Sequence, residues 1–261
     1  MRPRALVLRA AGTNCDSEMC HAFDLAGAQP DLVHLDAALQ RPDLLADYHL
    51  IGFPGGFSYG DDVASGRIFA MRLRQRLYPA LRQAARRGVP MIGACNGFQV
   101  LVQAGLLPGP APGQDWPADH APAQRLSLTF NAGGRFIDRW CRVEVDPATP
   151  CVWTRGLEPW VGRPGAADAL MLPVAHGEGR LVTASPEEAA TLRAMGKVAL
   201  RYAAGENPNG SEDDAAGICD TSGLIFGLMP HPERFTDWSR HPFWTALPPG
   251  QRLGEAPGLA M

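Results

Sequence analysis

The sequence predicts an α/β fold with a mostly parallel, doubly wound sheet flanked by helices and additional β-structure in the second half of the chain. In the first half, short apolar runs alternate with segments of helical periodicity, which is typical of parallel strands joined by helices. In the second half, apolar runs of strand length predominate. The 261 residues are 46% hydrophobic, enough to fill one large core, so we expect a single domain over residues 1–247.

The first half of the chain alternates strands and helices. Asp16 is expected to cap a helix that runs to about residue 26, where Gly27 ends it. A second helix is predicted over residues 71–87, in which Pro79 produces a kink or marks the true start, and a third follows Cys95. The predicted strands of this half are residues 5–8, 32–35, 48–53 and 89–93.

The second half combines strands with long loops. Its predicted strands are residues 126–130, 136–145, 197–202, 217–219 and 224–229. Segments rich in Pro and Gly without periodicity are predicted as surface loops over residues 107–124 and 159–168. The same composition over residues 248–261 predicts a flexible C-terminal tail.

Composition excludes several classes of function. With 24 basic and 27 acidic residues the net charge is -3, so we expect no nucleic-acid partner. No apolar run approaches the roughly 18 residues of a membrane span, and the N-terminus lacks a signal-like segment, so we expect no membrane contact and a cytoplasmic location. The arginines of the 71–87 helix are interpreted as a solvated face, because all but one of the basic residues are arginine; a partner contact is the alternative.

The six cysteines include no C-x-x-C pair, so neither a metal site nor a dense disulfide framework is predicted. Cys95 alone has a catalytic context, because Gly93-Ala94-Cys95-Asn96-Gly97 joins a predicted strand to a helical pattern. This G-x-C-x-G spacing matches a nucleophile elbow, a turn so sharp that the neighbouring side chains must be small. A helix N-terminus also favours the thiolate. The alternative is a small buried hydrophobe, which is how we interpret the other five cysteines.

A cysteine nucleophile needs a histidine that moves a proton and a third group that orients the imidazole. His231-Pro232-Glu233 follows the strand at 224–229, and prolines on both sides of His231 favour an extended backbone. In an extended segment, residues two apart project together, so Glu233 is expected to orient His231. A structural histidine in a tight turn is the alternative. The sequence contains a second His-x-Glu pair, His176 and Glu178. Glycines at positions 177 and 179 make this pair more flexible, so it is interpreted as a loop contact.

Acyl chemistry also requires N–H donors for the developing oxyanion. One is expected from Asn96, the residue after the nucleophile. The other is expected from Pro54-Gly55-Gly56, where Gly56 can bring its N–H close to a substrate without a Cβ in the way. An ordinary turn at the end of a strand is the alternative for this loop.

Taken together, these features resemble the class I (triad) glutamine amidotransferases, and among them the family of phosphoribosylformylglycinamidine synthase glutaminase subunits. The motifs that carry the resemblance span residues 12 to 234: Gly12-Thr-Asn-Cys-Asp16, Pro54-Gly-Gly-Phe-Ser-Tyr-Gly-Asp61, Cys95-Asn-Gly-Phe-Gln99, Ala175-His-Gly-Glu-Gly179, Asn207-Pro-Asn-Gly-Ser211 and Met229-Pro-His-Pro-Glu-Arg234.

The resemblance implies a flavodoxin-like fold and a glutaminase that releases ammonia from glutamine through a thioester on Cys95. Cys95, His231 and Glu233 would form the triad, while Gly55, Gly56, Asn96 and Gln99 would bind substrate and the oxyanion. A helix-surface role is the alternative for Gln99. The ammonia would pass to a large ATP-dependent synthetase subunit, which amidates formylglycinamide ribonucleotide in purine biosynthesis.

The resemblance further implies a small accessory subunit, with ATP and Mg²⁺ on the synthetase and no cofactor in this chain. Five polar residues in the motifs are not needed for general glutaminase chemistry, and we interpret them as partner or gating residues: Asn14, Asp16, His176, Glu178 and Asn207. Three alternatives remain open. They are another class I amidotransferase, a non-amidotransferase hydrolase or chaperone with the same elbow, and a non-catalytic regulatory subunit that retains the fold.

Overall fold

A computed structural model describes residues 1–111, 113–163 and 166–261. Within these residues, nine strands form one sheet in the order β2-β1-β3-β4-β11-β10-β9-β6-β7, and β5 pairs with β8 in a second, two-stranded sheet. The strands are β1 (Arg4–Arg9), β2 (Gln29–His34), β3 (Leu50–Phe53), β4 (Met91–Ala94), β5 (Leu126–Thr129), β6 (Ile137–Val145), β7 (Met171–His176), β8 (Arg180–Thr183), β9 (Leu200–Tyr202), β10 (Ala215–Cys219) and β11 (Ile225–Leu228).

The parallel part of the large sheet consists of β2, β1, β3 and β4 from the first half of the chain together with β11 from the second half. Leu6 and Leu8 of β1 face one core cluster, while Ala5 and Val7 face the other, so helices cover both sides of the sheet. The helices of the first half are α1 (Asp16–Leu25), α2 (Leu35–Gln40), α3 (Arg67–Arg72), α4 (Tyr78–Arg86) and α5 (Asn96–Gln103). The predicted fold class is confirmed.

The second half extends the sheet with antiparallel strands, from β11 through β10, β9 and β6 to β7. The sequence predicts no element at β7, at β8 or at the helix α6 (Pro186–Ala194). Pro173 inside β7 indicates a break in a strand, and α6 buries only Ala189 and Leu192, which leaves little periodicity to detect. These elements depend on packing that the local pattern does not show.

The helix predicted over residues 71–87 begins earlier, at Arg67, and contains a π-helical turn over Leu73–Leu77. There the N–H of Tyr78 donates to the carbonyl of Leu73, which is the wider spacing of a π-turn. Pro79 follows directly in the first turn of α4, where its missing N–H costs least. The proline therefore marks a shift in hydrogen bonding within one continuous helical segment.

The arginines of this segment do not form a purely solvated face. Arg74 donates to the carbonyl of Pro122 (2.8 Å) and Arg82 donates to the carbonyl of Trp116 (3.1 Å). The Tyr78 hydroxyl donates to the carbonyl of Pro117 (2.9 Å). The helix thus holds the proline-rich segment 107–124 against the domain, because that segment supplies carbonyls without regular partners of their own.

Parts of the other predicted loops are also ordered. A 3₁₀-helical segment over Val152–Trp160 reaches into the predicted loop 159–168, and Ala166–Asp168 forms another turn. Residues 112, 164 and 165 of the predicted loops lie outside the described residues. In the described part of the chain, none of the helices has the length and apolar character needed to cross a lipid bilayer.

The C-terminal residues 248–261 differ from the predicted flexible tail. The indole N–H of Trp160 donates to the carbonyl of Gln251, and that of Trp238 donates to the carbonyl of Gly254, both at 3.1 Å. A short helix, α7 (Pro257–Ala260), then ends the chain, and Ala256 just before it is only 2% exposed. Two tryptophans from distant parts of the chain thus hold a segment whose own composition indicates disorder.

Candidate active site

Cys95 lies between β4 and α5 in a strained backbone conformation, with φ 50° and ψ −108°. A Cβ on Gly93 would meet the carbonyl oxygen of Gly97 at 2.6 Å, and a Cβ on Gly97 would meet that of Phe53 at 1.8 Å. Both positions therefore require glycine. The structure accordingly forms the strand-to-helix elbow that the G-x-C-x-G spacing predicts, with the thiol at the N-cap of α5.

His231 reaches the same edge of the sheet because β11 runs parallel to β4, with Leu228 in register with Ala94. The N–H of Cys95 donates to the carbonyl of Leu228 (2.8 Å), three residues before the histidine. The N–H of His231 in turn donates to the carbonyl of Pro173 in β7 (2.8 Å). The elbow and the histidine are thus held by neighbouring strands at their carboxyl ends.

Glu233 and His231 form a buried pair, with Nδ1 of His231 at 2.6 Å from Oε1 of Glu233. The two side chains project together as predicted, although Glu233 lies in a 3₁₀ turn, Pro232–Arg234, instead of an extended segment. Among the described residues, Nε2 of His231 has no hydrogen-bond partner. Burial opposes the imidazolium, but the negative charge of the adjacent Glu233 favours it, and the pKa of His231 is raised well above its ordinary value.

The peptide between Gly55 and Gly56 is oriented by the loop that contains Asn14 and Cys15. The backbone N–H groups of Asn14 and Cys15 both donate to the carbonyl of Gly55, at 3.3 and 3.2 Å. Because a trans peptide directs its C=O and N–H in opposite directions, the N–H of Gly56 points away from this loop. Gly56 has φ 136°, and a Cβ on Gly55 would lie 2.7 Å from Cε1 of His231, so both residues must be glycine.

Asn96 and Gln99 are buried and joined to each other. Nδ2 of Asn96 donates to Oε1 of Gln99 (2.9 Å), and its Oδ1 accepts from the N–H of Ser58 (3.3 Å). Nε2 of Gln99 donates to the carbonyl of Glu178 (2.5 Å). Gln99, 3% exposed, is therefore not a surface residue of α5 but a link to the segment 175–179.

The segment 175–179 lies against Cys95. The thiol of Cys95 donates to the carbonyl of Ala175, with Sγ and O separated by 3.6 Å. His176 is buried and its Nδ1 lies 3.1 Å from Oδ1 of Asn131. Burial, together with the nearby charge of His231, lowers the pKa of His176 to about 4, so this imidazole is neutral at pH 7. A carboxylate oxygen of Glu178 accepts from the N–H of Ser65 (3.3 Å).

The remaining predicted partner residues have mixed environments. Asn14 is exposed, whereas Asp16 is buried and pairs with Arg9 (3.1 Å). Asn207 binds within its own loop, since its Oδ1 accepts from the N–H of Asn209 and its Nδ2 donates to the carbonyl of Ser211. Of these three residues, only Asn14 has an exposed side chain that a partner could contact.

Cys15 is the site residue that the sequence interpretation missed. Arg234 donates to Sγ of Cys15 (3.1 Å), and ligand atoms of Cys15, His231 and Glu233 all lie within 4.8 Å of one another. Glu233 already contacts Nδ1 of the imidazole, so Cys15 adds a sulfur atom beside the same ring. The contact between Arg234 and Cys15 joins residues 219 positions apart, and the only sequence signal was the polar motif around Cys15.

An aromatic pair lies beside the segment 175–179. The rings of Phe57 and Phe136 stack with centroids 6.4 Å apart, and the two residues are 45% and 55% exposed. A Cβ on Gly177 would lie 3.8 Å from the Phe136 ring. Exposed neighbouring aromatics are typical of interaction sites.

Comparisons with known proteins agree with this geometry. Residues 2–261 match the CobB/CobQ-like glutamine amidotransferase domain family. The chain is 43% identical over 250 residues to the phosphoribosylformylglycinamidine synthase subunit PurQ of Dehalococcoides mccartyi, covering 93% of this chain and 89% of that protein. It is 41% identical to PurQ of Rubrobacter xylanophilus, covering 87% and 86%. Among solved structures, PurLQS from Thermotoga maritima aligns with a TM-score of 0.69 and 33% identity, covering 100% of this chain and 95% of the matched chain.

Proposed function

The chain belongs to the glutamine amidotransferase family of phosphoribosylformylglycinamidine synthase PurQ subunits, and on this premise we propose that Cys95, His231 and Glu233 are its catalytic residues. As a glutaminase subunit, the chain hydrolyses glutamine to supply ammonia for the amidation of formylglycinamide ribonucleotide in purine biosynthesis. One observation carries the assignment of the residues. A thiol on a strained elbow lies at the same sheet edge as a buried His–Glu pair with a 2.6 Å contact.

In the first half-reaction, Sγ of Cys95 attacks the carbonyl carbon of the glutamine side-chain amide as its proton passes to Nε2 of His231. His231 gives the proton from Nε2 to the departing nitrogen, so that ammonia leaves as the C–N bond breaks and the thioester remains. Glu233 holds Nδ1 and stabilises the imidazolium. The raised pKa of His231 supports this step, because the proton donor is present at neutral pH.

In the second half-reaction, His231 takes a proton from water as the water oxygen attacks the thioester carbonyl. The C–S bond then breaks as the imidazolium of His231 returns its proton to Sγ, so glutamate leaves and the Cys95 thiol is restored. The N–H groups of Gly56 and Asn96 stabilise both tetrahedral oxyanions, a contribution of about 3–4 kcal/mol per donor in comparable sites. The side chains of Asn96 and Gln99 contribute indirectly, since they hold the Ser58 loop and the segment 175–179 around the substrate.

The synthetase subunit is proposed to dock on the side of the active site marked by the Phe57–Phe136 pair. His176 and Glu178 belong to the segment 175–179, which contacts Cys95 through Ala175 and lies beside Phe136 at Gly177, so we propose that they gate the site when the partner binds. Asn14 is a candidate surface contact, while Asp16 is proposed to hold the start of α1 against Arg9 and Asn207 to support its own loop. ATP, Mg²⁺ and a small accessory subunit are expected with the synthetase, and the location is expected to be the cytoplasm.

Glutamate release tests the assignment of the nucleophile. It is measured with the chain alone and with a synthetase subunit, ATP and formylglycinamide ribonucleotide. Cys95→Ala is expected to abolish release in both conditions. Cys20→Ala is the matched control, because burial raises the pKa of the Cys20 thiol to about 11 and leaves it unreactive at neutral pH. Residual turnover in Cys95→Ala, or its loss in Cys20→Ala, contradicts the assignment.

A further inference from the structure

The C-terminal helix α7 packs directly on the turn that carries Glu233. A Cβ on Gly258 would lie 2.1 Å from the carbonyl oxygen of Pro232 and 2.5 Å from that of Phe235. These distances are far below van der Waals contact, so the backbone of α7 touches the backbone of the turn. Only glycine allows this approach.

The same helix also packs against the 3₁₀ segment Val152–Trp160. A Cβ on Gly156 would meet the carbonyl oxygen of Ala260 at 1.9 Å. Leu259 and Met261 also line a largely apolar cavity of about 330 Å³, and Glu233 is among the other residues that line it. The end of the chain and Glu233 therefore border the same cavity.

Glu233 depends on this packing because it has few hydrogen bonds of its own. Its Oε1 contacts His231, but its Oε2 has no hydrogen-bond partner among the described residues, although Glu233 is only 6% exposed. A buried carboxylate with one hydrogen bond is oriented mainly by the backbone that carries it. That backbone is the turn Pro232–Arg234, whose first carbonyl is the one that Gly258 contacts.

We infer that residues 256–261 are a positioning element of the active site, which fixes the turn Pro232–Arg234 and so keeps Glu233 against Nδ1 of His231. The inference rests on the proposed catalytic role of His231 and Glu233. The contacts of the segment described above are with the turn Pro232–Arg234 and with Val152–Trp160, so it acts on turnover through the carboxylate.

Gly258→Ala tests the inference, with Gly250→Ala as the matched control. The two glycines lie in the same C-terminal segment, but a Cβ on Gly250 would have nothing within 4 Å. Gly258→Ala is expected to lower kcat for glutamate release by about 10-fold to 100-fold, since displacements of about 1 Å have effects of that size. KM should stay near its wild-type value, because the substrate pocket is unchanged.

The pH dependence of kcat distinguishes a displaced Glu233 from a general loss of structure. With Glu233 displaced, the imidazolium loses its partner, so the alkaline limb of kcat should move to lower pH in Gly258→Ala but not in Gly250→Ala. A chain that ends at Glu255 introduces no clash and should show the same changes. Thermal unfolding establishes that each variant is folded at the assay temperature.

A folded Gly258→Ala enzyme with wild-type kcat and pH profile overturns the inference. A truncated chain that is unfolded also overturns it, because the segment would then support the whole domain and not the position of Glu233 alone. Equal effects in Gly250→Ala overturn it as well. A wild-type chain that never releases glutamate, or a Cys95→Ala chain that does, contradicts the proposed function instead.

Discussion

Replacement of Gly97 by alanine is expected to damage the elbow by a displacement that the structure defines. A Cβ at this position would lie 1.8 Å from the carbonyl oxygen of Phe53, and real Cβ contacts essentially never fall below 3.0 Å. The first turn of α5 and the end of β3 must therefore separate by about 1.2 Å. The partner atom is backbone, so no side-chain rotation can relieve the contact.

This displacement acts on both catalysis and stability. The N-terminus of α5 carries Cys95 and the N–H of Asn96, and a misplacement of about 1 Å can reduce the rate by about 10²-fold. Overpacking of this kind costs about 1–3 kcal/mol of folding free energy. For a chain of this size, each kcal/mol lowers Tm by about 2–4 °C.

Glutamate release and thermal unfolding measure the two effects, with Gly133→Ala as the control. A Cβ on Gly133 would have nothing within 4 Å, so this variant should keep the wild-type kcat and Tm. Alkylation by a glutamine analogue should slow in Gly97→Ala in proportion to kcat. If Gly97→Ala keeps both kcat and Tm, the steric explanation of the G-x-C-x-G motif is refuted.

Three further predictions follow from the site. Glu233→Gln should lower kcat by about 10²-fold to 10⁴-fold and move the alkaline limb of the kcat profile to lower pH, since the charge that raises the pKa of His231 is lost; an unmoved limb contradicts the pair. His176 has its pKa lowered to about 4, so its contribution to stability is present above pH 6.5 and is lost as the pH falls toward 4. Urea unfolding should show that acidification from pH 7 to about 4.5 costs the wild type about 2–3 kcal/mol more than His176→Gln; equal losses contradict this. Phe136→Asp should weaken synthetase binding in a titration while the free chain keeps its basal glutaminase rate, and unchanged binding argues against docking at this face.

The parts of the site that the sequence predicted are those encoded by short spacings. Gly93, Cys95 and Gly97 lie within five residues, and the steric requirement of the elbow acts between a strand and the helix that follows it. His231 and Glu233 are two residues apart, so their contact also follows from local geometry. The π-turn before Pro79 is equally local, although the sequence left a kink and a later start as alternatives.

The contacts that the sequence did not predict join distant segments. Arg234 meets Cys15, Trp160 and Trp238 hold the C-terminal segment, and Arg74 holds the proline-rich stretch. In each case an N–H group of one segment donates a hydrogen bond to a sulfur or a carbonyl oxygen of another segment. Neither partner shows a periodicity or a motif that identifies the other.

By itself, the sequence determined the alternation of strands and helices, the position of the elbow and the motifs that define the family. Hydrophobic periodicity and glycine sterics act over a few residues, so they can be read along the chain. Only the tertiary structure decided that Cys15 lies beside His231 and that Gly258 packs against the turn of Glu233. Such contacts arise when the sheet brings strand ends together, and their energies depend on distances that sequence order does not specify.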